Sequence, residues 1–225
     1  MNFEFLVSDI VKEKIAGLKL GALWTKNVTV QKNAAQFDDE FQKLASFLQT
    51  KFEQQRPAED EVVSYVRRMY RRIGWEPTRY RPSSEALIRR ILKGNSLYRI
   101  NNLVDFGNLA SARFHIPMGL YDGAKIDGPI ILDVGIEGEA YQGISNPEIH
   151  AAGKLILRDD SGIFGNPTAD SLRTSITEST NSALALFFCP PELNDNYITD
   201  TLKYLADFYT TFSEKVAVHQ EIIHL

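Results

Sequence analysis

The sequence is poor in the residues that build disulfides and thiolate metal sites. It contains a single cysteine, Cys189, which excludes an intrachain disulfide and a zinc site built on several cysteines. Cys189 follows two phenylalanines in an apolar stretch, so we expect a small buried hydrophobic side chain rather than a nucleophile. A cytoplasmic location is the default expectation.

Long apolar runs are absent as well. No stretch approaches the length needed to cross a bilayer, and the first residues lack the charged segment and apolar stretch of a signal peptide. The composition, with 44% hydrophobic and 24% charged residues, is typical of an ordinary globular protein. We therefore expect one domain over residues 1–225 and no membrane partner.

The common nucleotide-binding and hydrolase motifs do not occur. The chain has no GxxxxGK[ST], GxGxxG or GxSxG sequence, so phosphate-loop, dinucleotide-binding and hydrolase-elbow interpretations have no support. His219, Glu221 and His224 are three potential metal ligands, but they lie near the end of the chain, where we expect fraying. No metal or cofactor is predicted.

Positive charge is concentrated in one segment of an otherwise acidic chain. The net charge is −4, yet residues 67–99 contain ten Lys or Arg residues against two acids, Glu76 and Glu85. Such a basic surface suits docking on a polyanion. The alternative is that these side chains pair with acids elsewhere in the fold. The candidates for polyanion contact are Arg67, Arg71, Arg89, Arg90 and Lys93.

Hydrophobic periodicity predicts helices early in the chain and strands later, with few alternations of the two, which indicates an α+β fold. The predicted helices span 37–48, 61–73, 83–93, about 102–113 and 200–214. The predicted strands span 15–24 and 28–30, as separate strands or a hairpin, and then 128–135, 154–158 and 183–188. A short strand after a turn is expected within 138–143.

The helix predicted at 102–113 carries short polar side chains on one side. At about 100° per residue, Asn101, Asp105, Asn108 and Ser111 share one arc, and apolar residues fill the opposite side. The arc is either a solvated helix face or the wall of a preformed pocket. Short amides, a hydroxyl and an acid suit the pocket interpretation.

The segment RPSSEALIRRILKGNSLYRINNLVDFGNLASARFHIPMGLYD, residues 81–122, resembles the core of a B3/B4 domain. This module occurs in the β subunit of bacterial phenylalanyl-tRNA synthetase, where it is described as tRNA-binding and carries the editing site. The resemblance covers about residues 62–190, between an N-terminal extension at 1–61 and the closing helix at about 200–214. It implies mixed or antiparallel sheets with flanking helices, and RNA rather than DNA as the polyanion.

The resemblance also indicates where the pocket lies. Three of the family's editing positions carry different residues in this sequence. It puts Asn108, Pro117 and Asp122 on matching family residues, Gly107 where the synthetase has an editing threonine, and Gly119 where it has the editing histidine. The family's editing glutamate belongs to a later strand, here 182–188, which contains no acid. The candidate catalytic residues are Asn108, Asp105 and Ser111. The candidate substrate-binding residues are Asn101, Asp105, Gly107, Asn108, Gly119, Arg173 and Thr174.

Arg173 and Thr174 come from a loop rich in hydroxyls and amides before the strand at 182–188. Arg173 is a candidate to hold a carboxylate or phosphate by two parallel hydrogen bonds; the alternative is a turn-rich surface loop. Two functions stay open. One is recognition of the aminoacyl end of tRNA, with trans-editing of mischarged aminoacyl-tRNA, and the other is a pocket for a small amino-acid-like ligand without an RNA role.

A scaffold for protein interactions is a third and weaker option, because fold does not fix function. The chain is not expected to aminoacylate tRNA by itself, since it has no nucleotide-binding motif and no room for a synthetase catalytic domain beside the B3/B4-like core.

Overall fold

The computed structural model describes residues 3–212 and 215–225. The fold is α+β, as the sequence predicts, with two large sheets, four helices on one face of the antiparallel sheet, and α1 and α3 in the core that the two sheets share. The helices are α1 Asp9–Lys14, α2 Phe37–Lys51, α3 Glu61–Arg72, α4 Ser83–Leu92, α5 Asn102–Phe114 and α6 Asp195–Thr211. The strands are β1 Phe5–Val7, β2 Lys19–Lys26, β3 Met118–Asp122, β4 Ile130–Val134, β5 Ala140–Tyr141, β6 Ile149–His150, β7 Leu155–Asp159, β8 Gly162–Asn166, β9 Ala169–Asp170, β10 Ser182–Cys189 and β11 Ala217–His224.

The larger part of the core surrounds a four-stranded antiparallel sheet in the order β11-β2-β10-β3. Its two central strands are buried at nearly every position and mostly apolar, because both of their faces are covered. Alternate residues such as Leu23 and Phe187 face a core that α2, α4, α5 and α6 also build. Their neighbours, such as Trp24 and Phe188, face a second core shared with α3 and the other large sheet.

The second large sheet has five strands in the order β1-β4-β7-β8-β9. It is mixed, since β1 runs parallel to β4 and the remaining pairs are antiparallel. Strands β5 and β6 form a separate two-stranded ribbon. Strand β9 ends this sheet beside β3, so the edges of the two large sheets meet there.

The helix predictions at 37–48, 61–73, 83–93 and 102–113 are confirmed to within a few residues. Gly94 follows α4 with φ +77°, a left-handed conformation that glycine adopts freely at a helix end. The closing helix begins at Asp195, five positions before its predicted start, because the Asn194 side chain caps it by accepting from the Tyr197 N–H. Its predicted end at Glu214 lies outside the described residues.

Two predictions at the ends of the chain are wrong. Residues 28–30 form no strand and no hairpin with 15–24, since β2 pairs with β10 and β11 instead. The last residues, which were expected to fray, form strand β11, which pairs with β2 over its whole length. Among the described residues, no helix is long and apolar enough to cross a membrane.

Candidate functional site

A cavity of about 180 Å³ opens where α5 meets the adjoining edges of the two large sheets. We call it the α5–β3 cavity. Six of its lining residues are apolar and three are polar. It is lined by Ile100, Val104 and Asn108 of the α5 region, Met118 and Leu120 of β3, Ile144, Asp170 of β9, Ser175 and Ile176. Ile100 and Ile144 are each 55% exposed, so they form an apolar rim around the mouth.

The first turn of α5 is fixed by two residues of the predicted polar arc. The Asn101 side chain accepts a hydrogen bond from the Val104 N–H at 3.0 Å and caps the helix. The buried Asp105 carboxylate accepts from the Ile100 N–H at 2.8 Å and from Arg99 Nε at 3.1 Å. Burial raises the pKa of Asp105 against these hydrogen bonds. Both residues support the cavity wall without lining it.

We expect the Asn101→Ala substitution to lower the free energy of unfolding by about 1 kcal/mol, because it removes this cap. Asn101→Asp keeps a capping oxygen and should stay within about 0.5 kcal/mol of the parent. Urea titrations of the three proteins measure the difference. Equal loss in both variants would mean that the cap does not stabilise α5.

The rest of the arc divides between packing and the cavity. Ser111 is buried, and its hydroxyl donates to the Ile116 carbonyl at 2.7 Å. A Cβ atom on Gly107 would lie 2.9 Å from Met118 Cε, so this glycine allows β3 to approach α5 closely. Asn108 alone of the four arc residues lines the cavity. Its amide makes no side-chain hydrogen bond within residues 3–212 and 215–225, which leaves both a donor and an acceptor for a ligand.

Asp170 places a carboxylate at the cavity, and the sequence did not single it out. Its Oδ2 accepts from the Leu120 N–H at 3.2 Å, while Oδ1 is sealed from solvent. Burial raises the pKa of Asp170 to about 7, against the lowering by the Leu120 N–H and the Tyr121 hydroxyl. Burial therefore makes this carboxyl group much harder to ionise than an exposed aspartate.

Gly119 makes room for this arrangement. A Cβ atom on Gly119 would lie 1.9 Å from the Tyr121 hydroxyl oxygen and 2.7 Å from Asp170 Oδ1. The hydroxyl faces the carboxylate, although the two oxygens do not meet in a regular hydrogen-bond geometry. Position 119 therefore has no room for a Cβ atom while Tyr121 and Asp170 occupy the space.

The loop residues Arg173 and Thr174 have internal partners. Arg173 holds the Asp159 carboxylate by two hydrogen bonds, at 2.7 Å and 3.1 Å, and also donates to the carbonyls of Lys125 and Gly162. Arg173 does bind a carboxylate by two hydrogen bonds, but that carboxylate is the side chain of Asp159 and not a ligand. Thr174 is buried, and its hydroxyl donates to the Phe164 carbonyl. Neither residue lines the α5–β3 cavity.

The basic segment is partly neutralised and partly free. Arg67, Arg81 and Arg89 all approach the buried Glu85 carboxylate, at 2.7, 4.0 and 2.8 Å. Arg90 and Lys93 make no ion pair with a carboxylate in the described part of the chain, and Arg71 is exposed on α3. The alternative of pairing with acids therefore holds for part of the segment, and contact of the remaining cations with a polyanion stays a prediction. A shallow groove along α4 is lined by Arg81, Ala86, Arg89, Arg90, Lys93 and Asn95.

The histidines near the end of the chain do not form a metal site. His219 stacks on Trp24, with ring centroids 4.1 Å apart, and His224 approaches Asp195 at 3.4 Å. Across residues 3–212 and 215–225, no group of three His, Cys, Asp or Glu side chains could hold a metal ion. Cys189 is buried, as predicted, and burial raises the pKa of its thiol to about 12.

The fold and the cavity define an α+β domain with a small amphipathic pocket between a helix and two sheet edges. The family described as the B3/4 domain matches residues 65–194, and the chain belongs to this family. The fold is similar to the crystal structure of an N-terminal fragment of the phenylalanyl-tRNA synthetase beta-subunit from Pyrococcus horikoshii. No curated protein matches the sequence.

The likeness to the synthetase fragment is one of fold. The TM-score is 0.50 at 10% sequence identity, over 99% of this chain and 54% of that fragment. The chain thus spans about half the length of the fragment. The resemblance seen in residues 81–122 lies within the segment matched by the family, so it is confirmed.

Proposed function

We propose that this chain recognises the aminoacyl end of tRNA, with the amino acid bound in the α5–β3 cavity. The observation that carries the proposal is one carboxylate, Asp170, in the wall of a mostly apolar cavity. A ligand that fits carries a cation beside an apolar group, and an aminoacyl group has both in its α-ammonium and its side chain. An apolar cavity of about 150 Å³ holds a benzene ring, so 180 Å³ accepts a side chain of that size.

The same cavity favours an esterified amino acid over a free one. Within residues 3–212 and 215–225, no lysine or arginine lines the cavity, and Arg173 is committed to Asp159. A free amino acid would bring its carboxylate beside that of Asp170 without a counterion, which is unfavourable at low dielectric. An ester carries no such charge. The ester carbonyl and the ribose hydroxyls can form hydrogen bonds with the amide of Asn108 and the hydroxyl oxygen of Ser175, which both line the cavity.

We assign recognition rather than hydrolysis to the cavity. Ester hydrolysis requires a positioned water, a base and donors for the developing oxyanion. When Asp170 holds the ammonium group, no second acid and no histidine among the described residues lines the cavity to activate water. The candidates Asp105 and Ser111 are engaged in internal hydrogen bonds. Trans-editing is therefore a separate outcome to be measured as release of the amino acid.

The test is a ligand series measured by calorimetry. We expect 3′-deoxy-3′-(phenylalanylamino)adenosine, which cannot be hydrolysed, to bind at least tenfold more tightly than free phenylalanine. The N-acetylated analogue should bind poorly, because it has lost the positive charge. Asp170→Asn should weaken binding about tenfold, as expected for a lost charge-assisted hydrogen bond of about 1.5 kcal/mol. The exposed Asp200→Asn should not. Tighter binding of the free amino acid would overturn the proposal.

A further inference from the structure

The α4 groove and the α5–β3 cavity are joined by one short exposed segment. Arg90 and Lys93 line the groove, and Ile100 stands at the cavity rim. Between them lies Tyr98, which is 67% exposed. Tyr98 and Ile100 are two residues apart, so their Cα atoms lie within about 7 Å of each other.

The aromatic ring of Tyr98 is held in place by contacts with Arg90. The Arg90 guanidinium carbon lies 4.1 Å from the centre of the Tyr98 ring, and Arg90 also donates to the Tyr98 hydroxyl at 3.2 Å. Arg90 Nε donates to the Ser96 carbonyl at 2.6 Å, which fixes the guanidinium in place. With one ring face against Arg90 and most of the side chain exposed, the ring offers its other face to a planar partner.

Arg99, which lies between Tyr98 and Ile100 in the sequence, makes its contacts within the protein. It pairs with Asp105 at 3.1 Å and with Asp38 at 3.0 Å, and its guanidinium lies over the Phe37 ring. The free positive charge therefore stays on the α4 side of Tyr98. The polarity changes in order along the surface, from cationic groove to aromatic ring to apolar rim and cavity.

We infer that this surface is the track of a single-stranded RNA 3′ end, with phosphates at Arg90 and Lys93, a base stacked on Tyr98 and the terminal aminoacyl group in the cavity. The inference rests on the proposed function and adds the route of the RNA strand. Its chemistry is that of other single-strand sites, where cations follow the phosphates and aromatic rings stack on bases.

The test uses an RNA hairpin with a four-nucleotide single-stranded 3′ end whose last ribose carries phenylalanine through an amide. We expect Tyr98→Ala to weaken binding about tenfold, since stacking on an aromatic side chain contributes about 1–3 kcal/mol. Tyr98→Phe keeps the ring and should retain most of the affinity. In Arg90→Ala/Lys93→Ala, the slope of log K against log salt should become shallower by about 1.4, since each phosphate contact on a single strand contributes about 0.7. Lys203→Ala removes an exposed charge from α6 and should change neither quantity.

A blunt hairpin without the overhang is the second arm of the experiment, and Tyr98→Ala should not affect its binding. Equal losses on both hairpins, or none on either, would overturn the inferred track. The phosphate-free adenosine analogue separates this failure from failure of the proposed function. If the analogue binds normally while the substitutions leave the affinity for the RNA hairpin unchanged, the cavity assignment stands and the track is wrong. If the analogue does not bind, the cavity assignment itself fails.

Discussion

The Asp170→Asn variant is expected to be more stable than the parent protein at pH 8, by roughly 2–4 kcal/mol, and the difference should vanish towards pH 4. Burial raises the pKa of this carboxyl from 3.8 to about 7. Between these values the folded state holds a proton that the unfolded state has released, so stability falls as pH rises and levels off above pH 7. Asparagine does not ionise and escapes that loss.

Asparagine also fits the site. Its carbonyl can accept from the Leu120 N–H in place of Oδ2, and its amide can donate to the Tyr121 hydroxyl in place of Oδ1. A stabilising substitution at a cavity wall would show that the native carboxylate is kept at the expense of stability, as is common for binding residues. The variant should therefore gain stability while losing ligand affinity.

Urea titrations of both proteins from pH 4 to pH 8 at fixed ionic strength give the required difference. His115 titrates in the same window with the opposite sign, because burial lowers its pKa and acid then favours the unfolded state. Its contribution is common to both proteins and cancels at each pH. The exposed Asp200→Asn serves as control. A variant that is less stable at pH 8, or a difference that is flat with pH, would contradict the assignment.

The second large effect is expected at Glu85. We expect Glu85→Gln to lower the free energy of unfolding by about 3 kcal/mol, the scale for breaking a buried ion pair by removing one partner. The Glu85 side chain is fully buried, and Arg67, its partner at 2.7 Å, is only 14% exposed. Without the carboxylate, the Arg67 guanidinium keeps its desolvation cost and loses its counterion.

Denaturant titrations of Glu85→Gln and of the exposed Glu53→Gln measure this cost, and the control should stay within about 0.5 kcal/mol of the parent. A double-mutant cycle with Arg67→Gln should show a coupling of about 1–3 kcal/mol. The loss should change little with salt, because the pair is buried. A strongly salt-dependent loss would mean that water reaches the pair.

The structure also shows which parts of the fold a sequence can predict. Helices α2 to α5 follow from amphipathic spacing, with Asp60 and Asn101 as caps whose side chains accept from the Val63 and Val104 N–H groups. Strand β11 could not be foreseen in this way. It is a mostly exposed edge strand, and the partner that orders it, β2, lies far away in the chain.

The candidate site divides in a similar way. Asn108 was predicted to lie at the site from one helix face, and it does line the cavity. Asp170 was missed because its importance arises from two separate segments, namely β3, which contributes Leu120 and Tyr121, and β9. A lone acid in a loop rich in hydroxyls carries no signal of burial. Conversely, the polar groups of Asp105 and Ser111 suit a pocket by type but serve local backbone atoms.

The pairing of β2 has a consequence for how the protein is made. Thr25 of β2 and Ala183 of β10 are 158 positions apart, and β11 lies further along the chain. During synthesis, β2 is made before β10 and β11, the two strands with which it pairs. Until they are made, apolar residues such as Leu20 and Trp24, which are buried in the folded protein, stay exposed. Such non-local pairing slows folding and prolongs the exposure of aggregation-prone hydrophobic surface. A nascent chain halted before residue 182 should therefore be a ready client for chaperones.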